Sequence, residues 1–262
     1  MEKQNTDITQ LSEKDLGKLS CNGYCIKCGK EHCLIEGIAR KYCLELMRKL
    51  EKEKRIDIDT CAENADPEFS TDYLFGDALG QMFGILVGRG RNGKEVVLKA
   101  FSGQYNGVWN IEGWVPPLFD TGDFDISSRD VDKEIKRLGN KIGLLPDGSV
   151  IKFDLLRKRK KLSQDLMRKI HSLYRLINFN GEESSLFNAF VENRGIPTGT
   201  GDCCAPKLLN YAARNDLIPT GIAEFYFGKT NRSGTKKHKE FYTSCKNKCR
   251  PILGFLLCGL DI

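Results

Sequence analysis

The sequence predicts an α/β protein, and three observations carry that reading. Residues 83–88 (FGILVG) and 95–103 (EVVLKAFSG) are β-rich, and the Asn92-Gly93 pair between them is a hairpin turn signal. Residues 34–54 and 150–178 repeat apolar positions at helical spacing. From Arg194 to Leu260 the chain reads loop, helix, strand, loop, helix. Strands alternating with helices predict a mixed sheet flanked by helices.

In chain order, residues 1–20 read as a short polar helix, capped by Ser12 with Asp15 three residues on. Residues 21–33 (CNGYCIKCGKEHC) read as a compact Cys-rich loop. Ile35, Ile38, Ala39, Tyr42, Leu46, Met47 and Leu50 then line one face of a helix. Residues 1–65 are expected to form an N-terminal Cys-rich helical module, and 66–262 an α/β domain with a helical insertion at about 128–180. The aromatic stretch 106–120 contains Pro116-Pro117 and cannot be a regular helix, so it is expected to loop around and pack Trp109 and Trp114. Leu155, Leu162, Leu166, Ile170, Leu173 and Ile177 form the apolar stripe of the long helix, with His171 on or beside it as a core or edge residue. The Gly-rich loop 194–201 leads into a helix that Asp202 is positioned to cap, with Pro206 in its first turn. A strand at 221–228 and a basic loop follow, and a last helix is expected to start near Cys245.

Composition narrows the function classes. The chain has 262 residues, 29% of them charged and 40% hydrophobic, an ordinary globular balance. No run approaches 18 apolar residues, so no transmembrane helix is expected, and the polar N-terminus shows no signal-peptide core. A cytoplasmic protein is the resulting expectation. In a reducing compartment, its 11 cysteines point to metal ligation or catalysis rather than disulfides. Residues 229–250 carry eight Lys/Arg against Glu240 alone, a local charge of +7 in a chain of net charge +6. Lys236, Lys237, Lys239, Lys246, Lys248 and Arg250 are therefore candidate phosphate contacts, and RNA is the expected partner. A second basic run, 157–161 (RKRKK), reads equally as a solvated helix face. Trp109, Trp114, Tyr226 and Phe241 are candidate stacking surfaces or core residues.

Eight cysteines form two groups. Cys21, Cys25, Cys28 and Cys33 suit a structural zinc or, as the alternative, an iron–sulfur cluster, and the adjacent His32 is a replacement ligand. Cys203, Cys204, Cys245 and Cys249 fall where two helices begin, and helix N-termini favour thiolates. One of Cys203 and Cys204, together with Cys245 and Cys249, supplies the three ligands of a catalytic zinc. Cys43 and Cys258 lie in apolar helical patterns and read as buried structural thiols.

The order of hairpin, Cys-bearing helix start, strand and Cys-x-x-x-Cys resembles the zinc-dependent cytidine-deaminase superfamily. That resemblance implies a deaminase-like mixed sheet and hydrolytic deamination of a nucleobase by zinc-bound hydroxide. The family's proton-shuttling Glu stands two residues after the first ligand, where this chain has Ala205 or Pro206, and Ser244 replaces the Pro before the second pair. Asp202 and Glu224 are the candidate replacements as acid/base. Over residues 70–260, the strings AFSG, WVPPLFD, GDCCAPKLL and FYTSCKNKCRPIL resemble the accessory region attached to some bacterial RluA-type pseudouridine synthases. This implies an RNA-linked setting, although the synthase's own catalytic motif is absent. The sequence thus predicts a zinc-binding, RNA-associated protein with two zinc sites. The alternatives are a non-catalytic RNA-binding module with structural zinc, or an iron–sulfur redox protein.

Overall fold

The computed structural model describes residues 19–260. The polar helix expected over the first 20 residues lies almost entirely outside them.

The Cys-rich segment is a β-hairpin rather than a loop. Strands β1 (Leu19–Cys25) and β2 (Lys30–Ile35) pair antiparallel across a turn closed by Gly29 N–H donating to the Cys25 carbonyl at 2.9 Å. Gly29 sits at φ 72°, a left-handed conformation glycine adopts without strain. The misreading came from composition, because short Gly- and Cys-bearing strands have weak β propensity and pair here through tertiary packing. Helix α1 (Ala39–Glu53) follows, burying Ala39, Cys43, Leu46, Met47 and Leu50 at the predicted spacing.

The central sheet has four antiparallel strands, Gln81–Arg89 (β3), Glu95–Phe101 (β4), Ile218–Phe227 (β7) and Phe241–Tyr242 (β8), in the order β4-β3-β7-β8. Strands β3 (Gln81–Arg89) and β4 (Glu95–Phe101) are the predicted hairpin, with Asn92 and Gly93 at its turn. Gly93 has φ 74°, and the Asn92 side chain accepts from Lys94 N–H at 3.0 Å. Between them and the third strand run an aromatic loop and an antiparallel helical pair, α2 (Thr121–Gly143) and α3 (Val150–Leu173). A small hairpin of β5 (Arg175–Ile177) and β6 (Glu183–Ser185) and the single turn α4 (Leu186–Ala189) lead back to the sheet. Helix α5 (Cys204–Arg214), β7 (Ile218–Phe227), β8 (Phe241–Tyr242) and α6 (Arg250–Leu257) complete the chain. The last helix begins later than its cysteine pattern suggested, because Pro251 sits in its first turn and the Cys245 segment forms a separate turn before it.

Strand alternation divides the core in two. Phe83, Ile85, Val87, Ala223, Phe225 and Phe227 face α1, while Leu86 and Ile222 face α5 and α6. Trp114 is buried on the α1 side and donates its indole N–H to the Ile56 carbonyl at 2.9 Å, and Trp109 packs edge-on against Phe119 and Phe124. Both tryptophans and the buried Tyr226 are therefore packing residues rather than open stacking surfaces. Residues on both sides of position 65 share each core, Cys21 and Leu34 lying with Leu208 and Ile252. The β1–β2 hairpin rests directly on α6, backbone to backbone, through Gly23 and Gly254. No helix among the described residues is long and apolar enough to cross a membrane.

Candidate metal centres

Two groups of thiols gather at opposite ends of α6. At its C-terminal end, Cys25, Cys28, His32 and Cys258 bring one ligand atom each to within 4.8 Å of one another. Cys28 Sγ and His32 Nε2 are 3.0 Å apart. Tetrahedral zinc with ligand bonds near 2.3 Å separates its sulfurs by about 3.8 Å, so this donor set has the spacing of one ion. The hairpin explains which residues meet. Cys25 ends β1, Cys28 lies on the turn, and His32 pairs with Gly23 on the face of β2 that packs on α6. Cys258 caps the C-terminus of α6 and is buried.

The surroundings fit a held ion. Asn180 Nδ2 donates to Cys258 Sγ at 3.7 Å, and Lys27 on the turn pairs with Glu182 at 2.5 Å. Desolvation, with added contributions from Cys28 and Cys25, pushes the Cys258 thiol up to about 12. Crowded thiols resist ionisation unless a cation is present; here Cys25 and Cys258 are buried while Cys28 stays exposed.

The expected four-cysteine set is corrected accordingly. Cys21 pairs with Leu34 in the core and Cys33 pairs with Asn22, so Cys33 is one residue out of phase with His32 and on the other face of β2. His32 and Cys258 take the remaining two positions. Cys258 left no local signal, since its partners are more than 220 residues away in the chain.

At the N-terminal end of α6, Cys203, Cys245 and Cys249 hydrogen-bond one another. Cys203 is the N-cap of α5 and Cys249 the N-cap of α6, while Cys245 sits on the intervening turn and accepts from Lys248 N–H at 3.3 Å. Hydrogen bonds from Cys203, then Cys249, hold the Cys245 thiol far below its usual range, while those same contacts leave Cys249 raised. Cys249 is buried, but Cys203 and Cys245 keep partial exposure. Only Cys25, Cys28, His32 and Cys258 form a group of four donors with the spacing of one ion among the described residues; these three thiols are a second, smaller cluster. Cys204 turns the other way, its thiol directed at the Met82 and Ala100 carbonyls of the sheet at 3.4 and 3.6 Å.

Glu224 lies on the α5 face of β7 and is 4% exposed. Its Oε1 accepts from Ala205 N–H at 3.1 Å and from Ser244 Oγ at 3.5 Å. Burial raises its carboxyl to about 7, opposed by the Ala205 hydrogen bond. Asp202 does not cap α5. It accepts from Tyr174 OH at 2.5 Å, and burial pushes its carboxyl up. Its loop instead turns at Gly199 and Gly201, both with positive φ, which aims the carboxylate away from the helix start.

The basic candidates divide. Lys239 is paired with Glu51, and Arg250 with Glu31 at 3.2 Å. Lys236 lies over the Tyr242 ring at 3.5 Å and is half-buried. Lys237, Lys246 and Lys248 are exposed, the latter two on the turn that carries Cys245. Sequence reading missed Lys207, buried on the inner face of α5. Its Nζ donates to the Phe101 and Gly103 carbonyls at 2.9 and 3.0 Å, and burial lowers it to about 8. A lysine at an inward helical position was the available signal.

No cysteines among the described residues are joined in a disulfide. Comparisons with protein-family models, with curated proteins and with solved structures return no match.

Proposed function

We propose that this chain is an RNA-associated, zinc-dependent hydrolase that removes an amino group from a nucleobase, with a structural zinc at its second centre. Cys203, Cys245 and Cys249 would hold the reactive ion, and Cys25, Cys28, His32 and Cys258 the structural one. Zinc in a three-thiolate site with an open position supplies a water acidified toward neutral pH. The observation that carries the reading is Glu224. Deaminase-like sites carry their carboxylate two residues after the first ligand, which is Ala205 when Cys203 is that ligand. Here the Glu224 carboxylate on the neighbouring strand accepts from the Ala205 amide at 3.1 Å, which supports it as the replacement acid/base.

In this role Glu224 accepts the proton of the attacking water and delivers it to the base, where the amino group leaves as ammonia and a carbonyl forms. A carboxyl near 7 exchanges protons readily at neutral pH. The Ala205 and Ser244 hydrogen bonds hold it in place between transfers. Exposed Lys246 and Lys248 on the Cys245 turn would contact RNA phosphate. Thiolate sites of this kind belong in a reducing compartment such as the cytoplasm.

The test is incubation of zinc-loaded protein with RNA oligonucleotides and free nucleosides, read by ammonia release and mass spectrometry. A 1 Da gain on a base is expected. Glu224→Gln should keep both zincs and lower the rate by at least about 100-fold. A second reading, a non-catalytic RNA-binding module with structural zinc, draws on the four-donor centre and the burial of Glu224. Unchanged bases across all substrates, with RNA still bound, would select it.

A further inference from the structure

A broad groove lies on the face of the molecule formed by α3 and the segment that follows α4. It has a volume of about 1220 Å³ and runs between α3 and the segment 187–198. Arg157, Arg159, Lys160, Arg168 and Arg194 line it, against one acid, Glu192. Phe153 and Phe187 stand on its walls with 65% and 46% of their surface exposed. His171 forms part of its floor, is 3% exposed, and its Nε2 has no hydrogen-bond partner.

We propose that this groove binds single-stranded RNA, with phosphates on the arginine and lysine side and bases stacked on Phe153 and Phe187. Charge selects a polyanion. Arg159 and Lys160 enter no ion pair among the described residues. Arg157 and Arg168 pair only with Asp154 and Asp165 three residues back on the same helix, surface contacts that exchange easily for phosphate. Exposed aromatics select unstacked bases, because a duplex keeps its faces covered. The groove also leads to the thiol cluster of Cys203, Cys245 and Cys249. Its wall at Gly195, Ile196 and Thr198 continues through Gly199 to Cys203, and Arg194 Nη2 donates to the Asn247 carbonyl at 2.7 Å, between Cys245 and Cys249.

This inference concerns binding and stands whether or not the thiol cluster is catalytic. The test is fluorescence anisotropy of a 20-nucleotide single strand with the zinc-loaded full chain, over a range of salt. Arg159→Glu combined with Lys160→Glu, both on an exposed helix face, should weaken binding at least about tenfold and flatten the logarithmic salt dependence by about 1.4. Phe187→Ala should cost about tenfold in affinity without changing the salt slope. Unchanged affinity in the charge-reversed protein would overturn the proposal, as would a 20-base-pair duplex binding as tightly as the single strand.

Discussion

Gly254→Ala sets helix propensity against packing at the joint between the two thiol centres. Gly254 is in the middle of α6 with an ordinary helical φ, so propensity alone predicts about 1 kcal/mol of stabilisation for alanine. The packing predicts the reverse. A Cβ at 254 would lie 2.1 Å from the carbonyl carbon and oxygen of Tyr24 and 2.6 Å from Cys25 N. Carbon atoms in contact sit about 3.5 Å apart, so β1 must retreat by about 1.4 Å. The obstructing atoms are backbone, so no side chain can turn aside. Overpacking of this kind costs about 3 kcal/mol, which leaves about 2 kcal/mol of net destabilisation after the propensity gain. Cys25 moves with β1 while Cys258 stays with α6. Ligand positions tolerate shifts of only about 0.2 Å, so zinc affinity at that centre should fall 10- to 100-fold. Urea denaturation of the zinc-loaded variant and the rate of zinc transfer to a chromogenic chelator measure the two effects. A variant as stable as the parent, releasing zinc at the parental rate, would refute the packing argument.

Two further outcomes follow from the same structure. Cys258→Ser should lower the zinc content by one per chain while Cys33→Ser leaves it unchanged; equal losses would return Cys33 to the ligand set. Lys207 supplies a pH dependence: its folded-state value near 8 lies below its ordinary 10.5, so the folded state disfavours the ammonium. That cost is complete below pH 8 and disappears as the pH rises toward 10.5. The stability of the parent relative to Lys207→Met should therefore grow by about 3 kcal/mol across that window, and a flat difference in paired urea titrations would show that the buried lysine is not strained.

How much of this was legible in the sequence depended on distance along the chain. The Asn92-Gly93 hairpin, α1 and the strand read at 221–228, which the structure extends to Ile218–Phe227, announced themselves through turn chemistry and periodicity. Cys203 and Cys249 do stand at helix starts, as their sequence positions suggested, but the choice between Cys203 and Cys204 was open in the sequence and Cys245 lies on a separate turn before the last helix. Glu224 was legible only as a candidate, since nothing local says that β7 aims it at the first turn of α5. The other metal centre was misassigned for two physical reasons. Strand alternation moved Cys33 off the face that His32 occupies, and closure of the fold brought Cys258 to a turn near the opposite end of the chain. The basic loop likewise looked uniform, yet tertiary contacts engage Lys239 and Arg250 and leave Lys246 and Lys248 open.

We propose that two metal centres form and that one of them keeps an open position. Metal analysis combined with zinc X-ray absorption on anaerobically purified protein tests it most directly. Two zincs per chain are expected, with an average shell of three sulfurs near 2.3 Å and one lighter nitrogen or oxygen. A single zinc, an average shell of four sulfurs, or iron with broad visible absorption would contradict it.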